Sequence, residues 1–427
     1  MKGLGSIVMT EIAANLLNNS FQWPEGGVTR IPYRLYSDPD IYALEHERIF
    51  RGPVWNFLCL DIDIKNSGDF KTSFVGEIPV IVTRDTNGNV HAMVNRCAHK
   101  GSLVCLQERG NREHLTCVYH SWTYDLDGQL NGVAFRNGIR GKGGMPNDFD
   151  PKKHRLEPLR VQVYCGMVFG TFSEETVPVP DFLGKDMDHH VRRNLGRPLK
   201  LLGFHSQIMK HNWKLYAENV RDSYHATLLH TFYTTFNVNR LDMDGGIALS
   251  EDGWHSISYA KRATLNESEE YANANVHSAQ YDSQLEGPEM LDAWPEFEDG
   301  ITHSIQALFP SLAIQLTLNS LAVRHFIPRG IDRTELFWMY LGYEDDTEEQ
   351  TRMRTNQGNL TGAGGLVSLE DGCINEFVER GTRGSPVDAV EFLEMGGRDV
   401  APSEGSRATE TSIRGFWQGY RDIMGLA

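Results

Sequence analysis

Two short segments that combine cysteine and histidine constrain the fold of this chain more than any other feature. The first is Cys97-Ala-His99, and the second, after a further seventeen residues, is Cys117-Val-Tyr-His120. The surrounding sequence consists of short runs of Val, Ile, Phe and Tyr separated by turn residues, a pattern typical of β-strands. We therefore expect four metal-binding side chains on two neighbouring loops of a small all-β unit.

Two thiolates on one iron and two imidazoles on the other are the ligand set of a Rieske [2Fe–2S] centre. Such a cluster accepts an electron more readily than an all-cysteine cluster, because neutral imidazoles replace anionic thiolates. A Cys2His2 zinc site uses the same ligand types and is the alternative. Zinc sites of the finger kind pair Cys with Cys and His with His, whereas each pair here is mixed. The ligand order therefore favours the iron–sulfur cluster.

The predicted β unit covers residues 54–172. Its turn signals are Asp85-Thr-Asn-Gly88 and Asp125-Leu-Asp-Gly128, which are typical of hairpins. The glycine-rich segment Gly138–Pro146 is expected to be a surface loop rather than a phosphate-binding loop, because it opens no clear helix. The strands predicted most clearly are Val54–Ile62, Thr72–Phe74, Ile78–Arg84 and Val161–Phe172.

Residues 173–427 mix helical and strand-like patterns and predict a second, α+β unit. Residues 1–53 are expected to form a segment that packs on this unit. The helices predicted for residues 173–427 are Asp186–Asn194, Asn212–Phe236 and Thr409–Met424, of which the last has an apolar face. Its predicted strands are His255–Ala260, Leu312–Ile327 and Leu336–Tyr343.

The acidic composition limits the possible partners of the chain. Its 427 residues carry a formal net charge of -16, which argues against nucleic acid as a partner. Six cysteines are too few for a disulfide framework in a chain of this length, so a reducing compartment, the bacterial cytoplasm, is expected. The leader Met1–Asn19 lacks the continuous apolar region of a signal peptide, and Met9 is an alternative start. We expect no contact with a membrane, because no apolar stretch is long enough to span one.

A second group of metal-binding residues lies within the long predicted helix. His225 and His230, together with a carboxylate, can form the facial triad of a non-haem Fe(II) oxygenase. Residues five apart on a regular helix diverge by about 140°, so we expect an interruption or a π-bulge between Asp222 and His230. Asp222 lies three residues before His225 and can accept the free N–H of its ring. The alternative is an amphipathic core helix with two satisfied histidines.

Spacing alone does not identify the third ligand of this triad. The segment Ser368-Leu-Glu-Asp-Gly372 offers Asp371, which we choose, and Glu370 beside it is the alternative. Two other classes of protein compete with an oxygenase. A pure electron carrier would need the cluster but not the second group of ligands, and a zinc-stabilised binding module would need no iron.

Together these motifs resemble the α subunits of Rieske non-haem iron ring-hydroxylating oxygenases over nearly the whole chain. The likeness looks closest to the terephthalate dioxygenase and salicylate 5-hydroxylase branch, through Arg51-Gly-Pro-Val-Trp-Asn56, Asn212-Trp-Lys-Leu-Tyr216 and Ser368-Leu-Glu-Asp371. The resemblance implies a small all-β Rieske domain before an α+β catalytic domain built on an antiparallel sheet with helices. The implied metal ligands are Cys97, His99, Cys117 and His120 for the [2Fe–2S] cluster, and His225, His230 and Asp371 for a mononuclear Fe2+.

The resemblance also implies an assembly and a reaction. In this family the cluster of one chain lies close to the iron of the next chain, to which it is joined through the second cluster histidine, here His120, and a bridging aspartate, here Asp222. This arrangement implies an α3 ring, or an α3β3 assembly with a small β subunit. An NADH-dependent reductase, with or without a ferredoxin, is expected to supply electrons. The expected reaction adds O2 to an aromatic ring and gives a cis-dihydrodiol.

The resemblance further suggests three residues that bind an aromatic carboxylate: Ser258, Arg324 and Arg407. An arginine offers planar, bidentate donors to a carboxylate. The alternative roles are a structural ion pair for Arg324 and a solvated side chain for Arg407. We expect Arg407 to distinguish a dicarboxylate such as terephthalate from the monocarboxylates salicylate and anthranilate, which are the alternative substrates. The acidic segment Ala263–Asp299 matches the family least and is expected to be a mobile loop.

Overall fold

The computed structural model describes residues 21–262, 269–274, 276 and 285–426, and it divides the chain into two compact units. One unit is Phe50–Val179, and the other combines the chain up to Ile49 with the chain from Pro180 onwards. The boundaries predicted for the β unit, 54 and 172, lie a few residues inside the observed ones. The leader Met1–Asn19 and much of the acidic segment Ala263–Asp299 lie outside the described residues.

The described part of the N-terminal segment packs within the second unit. Its elements are a 3-10 turn (Gly27–Thr29), β1 (Arg30–Pro32), α1 (Arg34–Ser37), α2 (Pro39–Glu45) and a π-helical turn (His46–Phe50). Glu45, at the end of α2, is fully buried and accepts hydrogen bonds from Trp213 Nε1 (2.8 Å) and the Tyr420 hydroxyl (2.6 Å). The same carboxylate lies 2.6 Å from Nζ of Lys214. A buried charge needs such partners, so Glu45 ties this segment to two helices of the second unit.

The unit Phe50–Val179 is built of strands and loops, as predicted. Its elements are β2 (Asn56–Leu60), a 3-10 turn (Asp61–Ile64), β3 (Asp69–Val75), β4 (Ile78–Arg84), β5 (Val90–Val94), β6 (Arg109–Asn111), β7 (Leu115–Thr116), β8 (Thr123–Tyr124), β9 (Leu130–Gly132), a 3-10 turn (Pro151–His154), β10 (Pro158–Tyr164) and β11 (Met167–Thr171). An antiparallel sheet has the order β2-β11-β10-β5-β4-β3-β6, and β7, β8 and β9 form a second sheet. The single strand predicted at Val161–Phe172 is wrong. Cys165 and Gly166 adopt positive φ angles and turn the chain between β10 and β11.

The second unit is α+β, as predicted. Its elements are α3 (Val179–Leu183), α4 (Lys185–Leu195), β12 (Leu199–Met209), α5 (Trp213–Asn219), α6 (Ala226–Leu229), α7 (Thr231–Thr235), β13 (Gly245–Leu249), β14 (Ser256–Lys261), α8 (Glu269–Asn273), a 3-10 turn (Pro288–Leu291), β15 (Ile301–Leu308), β16 (Leu312–Thr317), β17 (Ser320–Pro328), β18 (Thr334–Tyr343), α9 (Glu348–Thr361), α10 (Leu366–Thr382), β19 (Val390–Phe392), β20 (Ser403–Glu404) and α11 (Thr411–Met424). One antiparallel sheet has the order β12-β18-β17-β16-β15-β14-β13-β20, and β19 pairs with β1. None of the described helices is long and apolar enough to span a membrane.

The run Leu312–Ile327, predicted as one strand, is the hairpin of β16 and β17. Leu318, with a φ of 55°, and Asn319 form the turn. Every residue of both strands is buried, so no exposed residue marks the end of either strand. The prediction of a single strand is therefore wrong.

The same hairpin places small and polar side chains on one face of the sheet. Ala313 pairs with Arg324, and Gln315 pairs with Ala322. Paired residues of antiparallel strands project to the same side, so these four share a face. On the adjoining strands, Ser258 of β14 lies in the same row, because it pairs with the β15 residue opposite Gln315. Ala313 and Ala322 are both buried, and theirs are the smallest of these side chains.

The helical stretch predicted at Asn212–Phe236 is divided among three short helices. Helix α5 begins after the Asn212 side-chain cap and ends at Asn219, and α6 and α7 are separated at His230. His230 has φ −82° and ψ 79°, which are not helical. The interruption predicted between Asp222 and His230 is therefore confirmed, and it takes the form of breaks in the helix.

Candidate functional site

The two Cys/His pairs of the β unit lie on tight loops. Cys97 and His99 follow β5, and Cys117 and His120 lie between β7 and β8. Backbone hydrogen bonds of 2.8 Å and 2.9 Å from the N–H groups of Cys97 and Cys117 close the loops. Both cysteines are buried in the core of the unit, whereas His99 is exposed and His120 half-buried. The imidazole centroids are 4.5 Å apart, so the loops bring the two pairs together.

The surroundings of these four residues suit a two-iron cluster better than a zinc ion. A zinc ion would draw all four ligand atoms around one point. Among the residues that the structure describes, such a convergence within 4.8 Å is found elsewhere and not for these four. The Tyr124 hydroxyl lies 3.2 Å from Sγ of Cys97, and the Trp122 ring stacks on His99 with centroids 4.9 Å apart. A hydroxyl beside a cysteine sulfur and a shielding indole are suitable neighbours for an iron–sulfur cluster.

Three residues of the second unit converge on one point at the broken helix. His225, His230 and Asp371 each place one ligand atom within 4.8 Å of the others. Nε2 of His225 lies 3.4 Å from Oδ1 of Asp371, and Nε2 of His230 lies 3.1 Å from the same oxygen. Asn219 donates a hydrogen bond of 3.1 Å to that oxygen from the end of α5. Two imidazole nitrogens and one carboxylate oxygen are the donor set of a facial triad, so these residues fit a mononuclear iron.

The second nitrogen of each imidazole faces another carboxylate. Nδ1 of His225 lies 3.2 Å from Oδ2 of Asp222, as the spacing of these residues predicts. Nδ1 of His230 lies 2.7 Å from Oε2 of Glu370. A carboxylate at Nδ1 accepts the ring proton and leaves the lone pair of Nε2 free to bind a metal. The geometry therefore separates the two candidates for the third ligand: Asp371 lies at Nε2 of both histidines, whereas Glu370 lies at Nδ1 of His230.

The charges of this group favour a bound cation. Burial lowers the pKa of His225, but the negative charges of Asp222 and Asp371 outweigh that effect and raise its pKa to about 10. Burial raises the pKa of Asp371, but the two imidazoles hold it far below its ordinary value. Asp371 thus keeps its negative charge in a buried place, which requires a compensating positive charge. A proton on the imidazole of His225 meets that requirement in the metal-free site, and a divalent ion that displaces this proton meets it in the metal-bound site.

Arg324 is buried on the small and polar face of the sheet. Its Nη1 donates to the Tyr216 hydroxyl at 3.1 Å, and its guanidinium lies 4.9 Å from the centroid of the Trp338 ring. Among the described residues, its Nε and Nη2 have no hydrogen-bond partner. The charges of both Arg324 and Asp371 act on the pKa of Tyr216, which burial raises to about 12. Arg324 and the triad therefore lie around a common region.

Arg407 is also buried, contrary to its alternative reading as a solvated side chain. Its Nη1 donates to Oδ1 of Asn239 at 2.6 Å, and its Nη2 donates to the carbonyl of Arg240. Burial lowers its pKa to about 10, so it stays charged at neutral pH. Ser258 is half-buried on the face that carries Arg324. The structure thus places Arg324 and Ser258 on one face of the sheet. The guanidinium of Arg407 is held by hydrogen bonds to Asn239 and to the carbonyl of Arg240.

Two residues near the triad were not identified from the sequence. The Tyr233 ring packs edge-on against His230 and His303, with centroids 5.6 Å and 5.5 Å away. Burial, followed by the charges of Arg407 and Arg324, lowers the pKa of His303 to about 3, so this imidazole is neutral. It therefore lies close to both arginines. The signal that could have identified His303 is that small or polar residues alternate with large apolar residues along β16, the neighbour of β15 in the sheet. This signal is weak, because both faces of these strands are largely buried.

Comparison with known proteins identifies the family. Residues 185–426 match the family described as the ring hydroxylating alpha subunit (catalytic domain), and residues 54–140 match the Rieske [2Fe-2S] domain. The chain is 45% identical over 405 residues to terephthalate 1,2-dioxygenase, terminal oxygenase component subunit alpha 2, from Comamonas sp, covering 95% of this chain and 97% of that protein. The chain belongs to the ring-hydroxylating oxygenase alpha subunits.

Two further relatives and one solved structure extend the likeness of this alpha subunit. It is 44% identical to the anthranilate 1,2-dioxygenase large subunit of Burkholderia cepacia, covering 94% of this chain and 95% of that one. It is 37% identical to the large oxygenase component of salicylate 5-hydroxylase from Ralstonia sp, covering 95% and 96%. The crystal structure of naphthalene 1,2-dioxygenase from Rhodococcus sp. bound to indole has a TM-score of 0.77 at 22% identity and covers 97% of both chains, so the fold is shared.

These comparisons confirm the family, fold class, enzyme class and cofactors predicted from the sequence. The alpha subunit is an oxidoreductase that combines a Rieske [2Fe–2S] domain with a catalytic domain that binds mononuclear iron. It is the large oxygenase subunit of a multi-subunit dioxygenase that works with a reductase. The pure electron carrier and the zinc-stabilised module are thereby excluded.

Proposed function

We propose that this alpha subunit adds both atoms of O2 to the ring of a terephthalate-like aromatic carboxylate, giving a cis-dihydrodiol. The observation that carries the proposal is the state of Arg324, a buried guanidinium with two nitrogens that lack partners among the described residues. An unpaired buried donor costs free energy, and that cost is greater for a charged group. A substrate carboxylate would supply the missing acceptors in the bidentate geometry that a guanidinium favours.

The metal ligands in this proposal are the residues that the geometry brings together. When bound, the mononuclear iron provides the place where dioxygen reacts beside the ring, and the cluster provides single electrons. Asp222 and Glu370 hold His225 and His230 in the tautomer that turns Nε2 towards Asp371. The proposed ligands are Cys97, His99, Cys117 and His120 for the cluster, and His225, His230 and Asp371 for the iron.

The protein's own contribution is to position the substrate and exclude water. Arg324 would hold the carboxylate, and Tyr216, whose hydroxyl accepts from Nη1 of Arg324, keeps the guanidinium in place. Ala313 and Ala322 leave room for an aromatic ring above the sheet, and Ser258 would add a hydroxyl donor beside it. The buried ring of Tyr233 limits access of water to His230. Correct placement of the ring edge is a major contribution to the rate of such a reaction.

The proposed source of electrons is an NADH-dependent reductase, acting with or without a ferredoxin. Asp222 would connect the cluster of one chain to the iron of the next, by contacting His120 of a second copy. One oxygen of Asp222, Oδ1, accepts backbone hydrogen bonds from Tyr224 (2.8 Å) and His225 (3.1 Å), which fixes the carboxylate against the imidazole of His225. Such a link requires contact between chains, and we propose an α3 ring, alone or with small β subunits as α3β3, in the bacterial cytoplasm.

A second candidate substrate class is a monocarboxylate such as salicylate or anthranilate. Two nitrogens of Arg407 already donate to Asn239 and to the carbonyl of Arg240, which favours a supporting role for this arginine. Each of these nitrogens has a second N–H, however, and Nε has no partner among the described residues. The charges of Arg407 and Arg324 both lower the pKa of His303, so the two guanidinium groups lie near the same imidazole. Arg407 is therefore placed to bind a second carboxylate, and we retain the dicarboxylate as the first choice.

Product identification tests this function. The purified, iron-loaded alpha subunit, with its β subunit if one co-purifies, is reduced chemically and supplied with O2 and one aromatic acid at a time. The acids are terephthalate, phthalate, isophthalate, benzoate, salicylate and anthranilate. We expect a dihydrodiol from terephthalate with both oxygen atoms derived from labelled O2. Products from salicylate or anthranilate alone would establish the second candidate instead, and no product from any acid would contradict the proposal.

A further inference from the structure

The β unit carries an ordered, exposed loop that the proposed reaction does not use. Residues 133–145, here called the cationic loop, contain Arg136, Arg140 and Lys142, and no acidic residue occurs between Asp127 and Asp148. All three cationic side chains are exposed. The loop also exposes two large apolar side chains, with Phe135 70% and Ile139 56% accessible. Cations around exposed apolar groups are typical of a protein-binding surface.

The cationic loop is held in a defined conformation. The N–H of Met145 donates to the carbonyl of Arg136 at 2.8 Å, and Ile139 and Lys142 exchange two backbone hydrogen bonds of 3.0 Å and 3.1 Å. A Cβ at Gly138 would lie 2.4 Å from the carbonyl oxygen of Lys142, so the two sides of the loop touch. These contacts order the backbone before any partner binds, which lowers the entropy cost of binding.

Backbone strain accompanies the exposed side chains of this loop. Phe135 and Arg140 have φ angles of 55° and 52°, which non-glycine residues rarely adopt. Strained residues persist where the surrounding structure imposes them, and they concentrate at functional sites. Here the strain presents an aromatic ring and a guanidinium to solvent, where neither gains stability from burial. We attribute it to the binding of a partner.

A continuous set of ring contacts connects the cationic loop to a proposed cluster ligand. His99 stacks on Trp122 with centroids 4.9 Å apart, and Trp122 packs edge-on against Phe149 at 5.9 Å. The guanidinium of Arg136 lies 5.6 Å from the centroid of Phe149 and donates to its carbonyl. A protein seated on the loop would therefore lie close to the cluster, on the His99 side. The proposed exit of electrons, through His120, uses the other imidazole.

The charge balance indicates the chemistry of the partner. The unit Phe50–Val179 contains 15 Lys and Arg against 14 Asp and Glu, whereas the whole chain contains 41 against 57. The acidic excess therefore lies outside this unit. Opposite charge steers the encounter of electron-transfer proteins and raises their association rate. The cationic loop is thus suited to an acidic protein.

We propose that the cationic loop is the docking surface for an acidic protein that donates electrons to the cluster. This inference deepens the proposed function, on which it rests. In each encounter one electron passes from the reduced donor to the oxidised cluster, and the donor leaves oxidised by one electron. The transfer is downhill from a plant-type [2Fe–2S] ferredoxin, because Rieske centres have higher reduction potentials.

The test measures the rate at which the cluster is reduced. The intact oxygenase is mixed in a stopped-flow instrument with a reduced, acidic plant-type [2Fe–2S] ferredoxin, and bleaching of the cluster absorbance is followed at low and high salt. The test variant is Arg140→Asp with Lys142→Glu, since Asp tolerates a positive φ. A milder variant, Arg140→Asn with Lys142→Gln, covers the case in which the first fails to fold. The matched control, Lys200→Glu with Arg352→Glu, changes two exposed cations of the other unit.

We expect the second-order rate at low salt to fall at least about tenfold in the test variant, less in the milder one, and little in the control. High salt should slow the wild type and largely remove the difference. Photoreduced deazaflavin, a small donor, should reduce all variants equally. Equal ferredoxin rates in wild type and test variant would overturn the proposal. A changed oligomeric state in the test variant would also overturn it, because the loop would then bind a second copy of this chain.

The docking surface and the proposed function can fail separately. Oxygenase reduced by photoreduced deazaflavin and then exposed to O2 and substrate should form product in a single turnover, with or without the loop substitutions. Product from the wild type together with unchanged ferredoxin rates would reject only the docking surface. Slowed ferredoxin rates without any hydroxylated product would leave the docking surface standing and reject the proposed substrate.

Discussion

Glu370 and Asp371 are consecutive residues of α10, yet their carboxylates contact opposite nitrogens of one imidazole. Oε2 of Glu370 lies 2.7 Å from Nδ1 of His230, and Oδ1 of Asp371 lies 3.1 Å from its Nε2. Successive side chains of a helix diverge by about 100°, so the ring of His230 fits between them. Asp222 plays the corresponding part for Nδ1 of His225. The site therefore has two histidines that are each oriented by a carboxylate.

Removing Glu370 should weaken iron binding without removing a ligand. In Glu370→Ala the ring of His230 loses the acceptor that fixes its tautomer, and we expect the dissociation constant for Fe2+ to rise about 10- to 100-fold. Glu370→Gln keeps a hydrogen-bond acceptor but loses the negative charge, so its dissociation constant for Fe2+ should lie between those of wild type and Glu370→Ala. The measurement is competition with a chelator of known affinity. Glu349→Ala, whose side chain is 70% exposed at the start of α9, is the control. Equal affinities in wild type and Glu370→Ala would show that this carboxylate does not position His230.

The two arginines should differ in their effect on substrates. Arg407→Ala should lower kcat/KM for terephthalate about 10- to 100-fold, because a charged hydrogen bond is worth about 1.5–3 kcal/mol, and it should spare benzoate. Arg324→Ala should lower kcat/KM for both acids. Steady-state turnover of each acid by each variant gives the comparison, with cluster absorbance and thermal unfolding as checks on folding. Unchanged terephthalate turnover in Arg407→Ala would rule out a dicarboxylate as the preferred substrate.

The hydroxyl of Tyr124 should raise the reduction potential of the cluster. It lies 3.2 Å from Sγ of Cys97 in a buried place, and a donor to sulfur stabilises the reduced, more negative cluster. In Tyr124→Phe a difference of about 1 kcal/mol between redox states corresponds to a fall of roughly 40 mV. A spectroscopic redox titration measures it. Tyr119→Phe, an exposed tyrosine of the same loop, is the control. A similar potential in all three proteins would contradict the assigned hydrogen bond.

Two carboxyl groups that share the buried hydroxyl of Tyr36 should make stability depend on pH. The Tyr36 hydroxyl lies 2.5 Å from Oε1 of Glu218 and 2.9 Å from Oε2 of Glu391. Burial, above all, raises the pKa of Glu391 from 4.5 to about 7. A group whose pKa is higher in the folded protein than in the unfolded chain stabilises the fold at pH values below its pKa in the unfolded chain. This contribution is lost as the pH rises through its pKa in the folded protein.

The free energy of unfolding should therefore fall between about pH 4.5 and pH 7, and Glu391→Gln should reduce that fall. Urea unfolding at several pH values within this window measures the effect. Glu251→Gln, at an exposed glutamate of the same unit, should leave the pH dependence unchanged. If Glu391→Gln and wild type lose the same free energy across the window, Glu391 does not carry the proton.

Much of the site was predictable from short-range pattern. The Cys97–His99 and Cys117–His120 pairs are local motifs, and the five-residue spacing of His225 and His230 required a break in the helix, which occurs. The choice between Glu370 and Asp371 was not settled by the sequence, because it depends on which way α10 turns towards residues about 150 positions earlier. That orientation is a product of tertiary packing.

The fold errors share a physical cause. The turns after Tyr164 and Thr317 are formed by Cys165-Gly166 and Leu318-Asn319, in which the first residue is not glycine yet adopts a positive φ without a strong local signal. How the two arginines are buried was also not predicted, because their burial depends on tertiary packing. Arg324 lies in a strand that is buried on both faces, and Arg407 is buried by contacts with residues 239 and 240, far away in the chain.

The central claim is that each chain holds a two-iron, two-sulfide cluster in one unit and a separate iron in the other. Iron and acid-labile sulfide per chain, measured on wild type, Asp371→Ala and Cys117→Ser, test it most directly. We predict about three irons and two sulfides for wild type, about two and two for Asp371→Ala, and at most one iron without sulfide for Cys117→Ser. Zinc in place of iron, or loss of sulfide in Asp371→Ala with iron retained, would contradict the account.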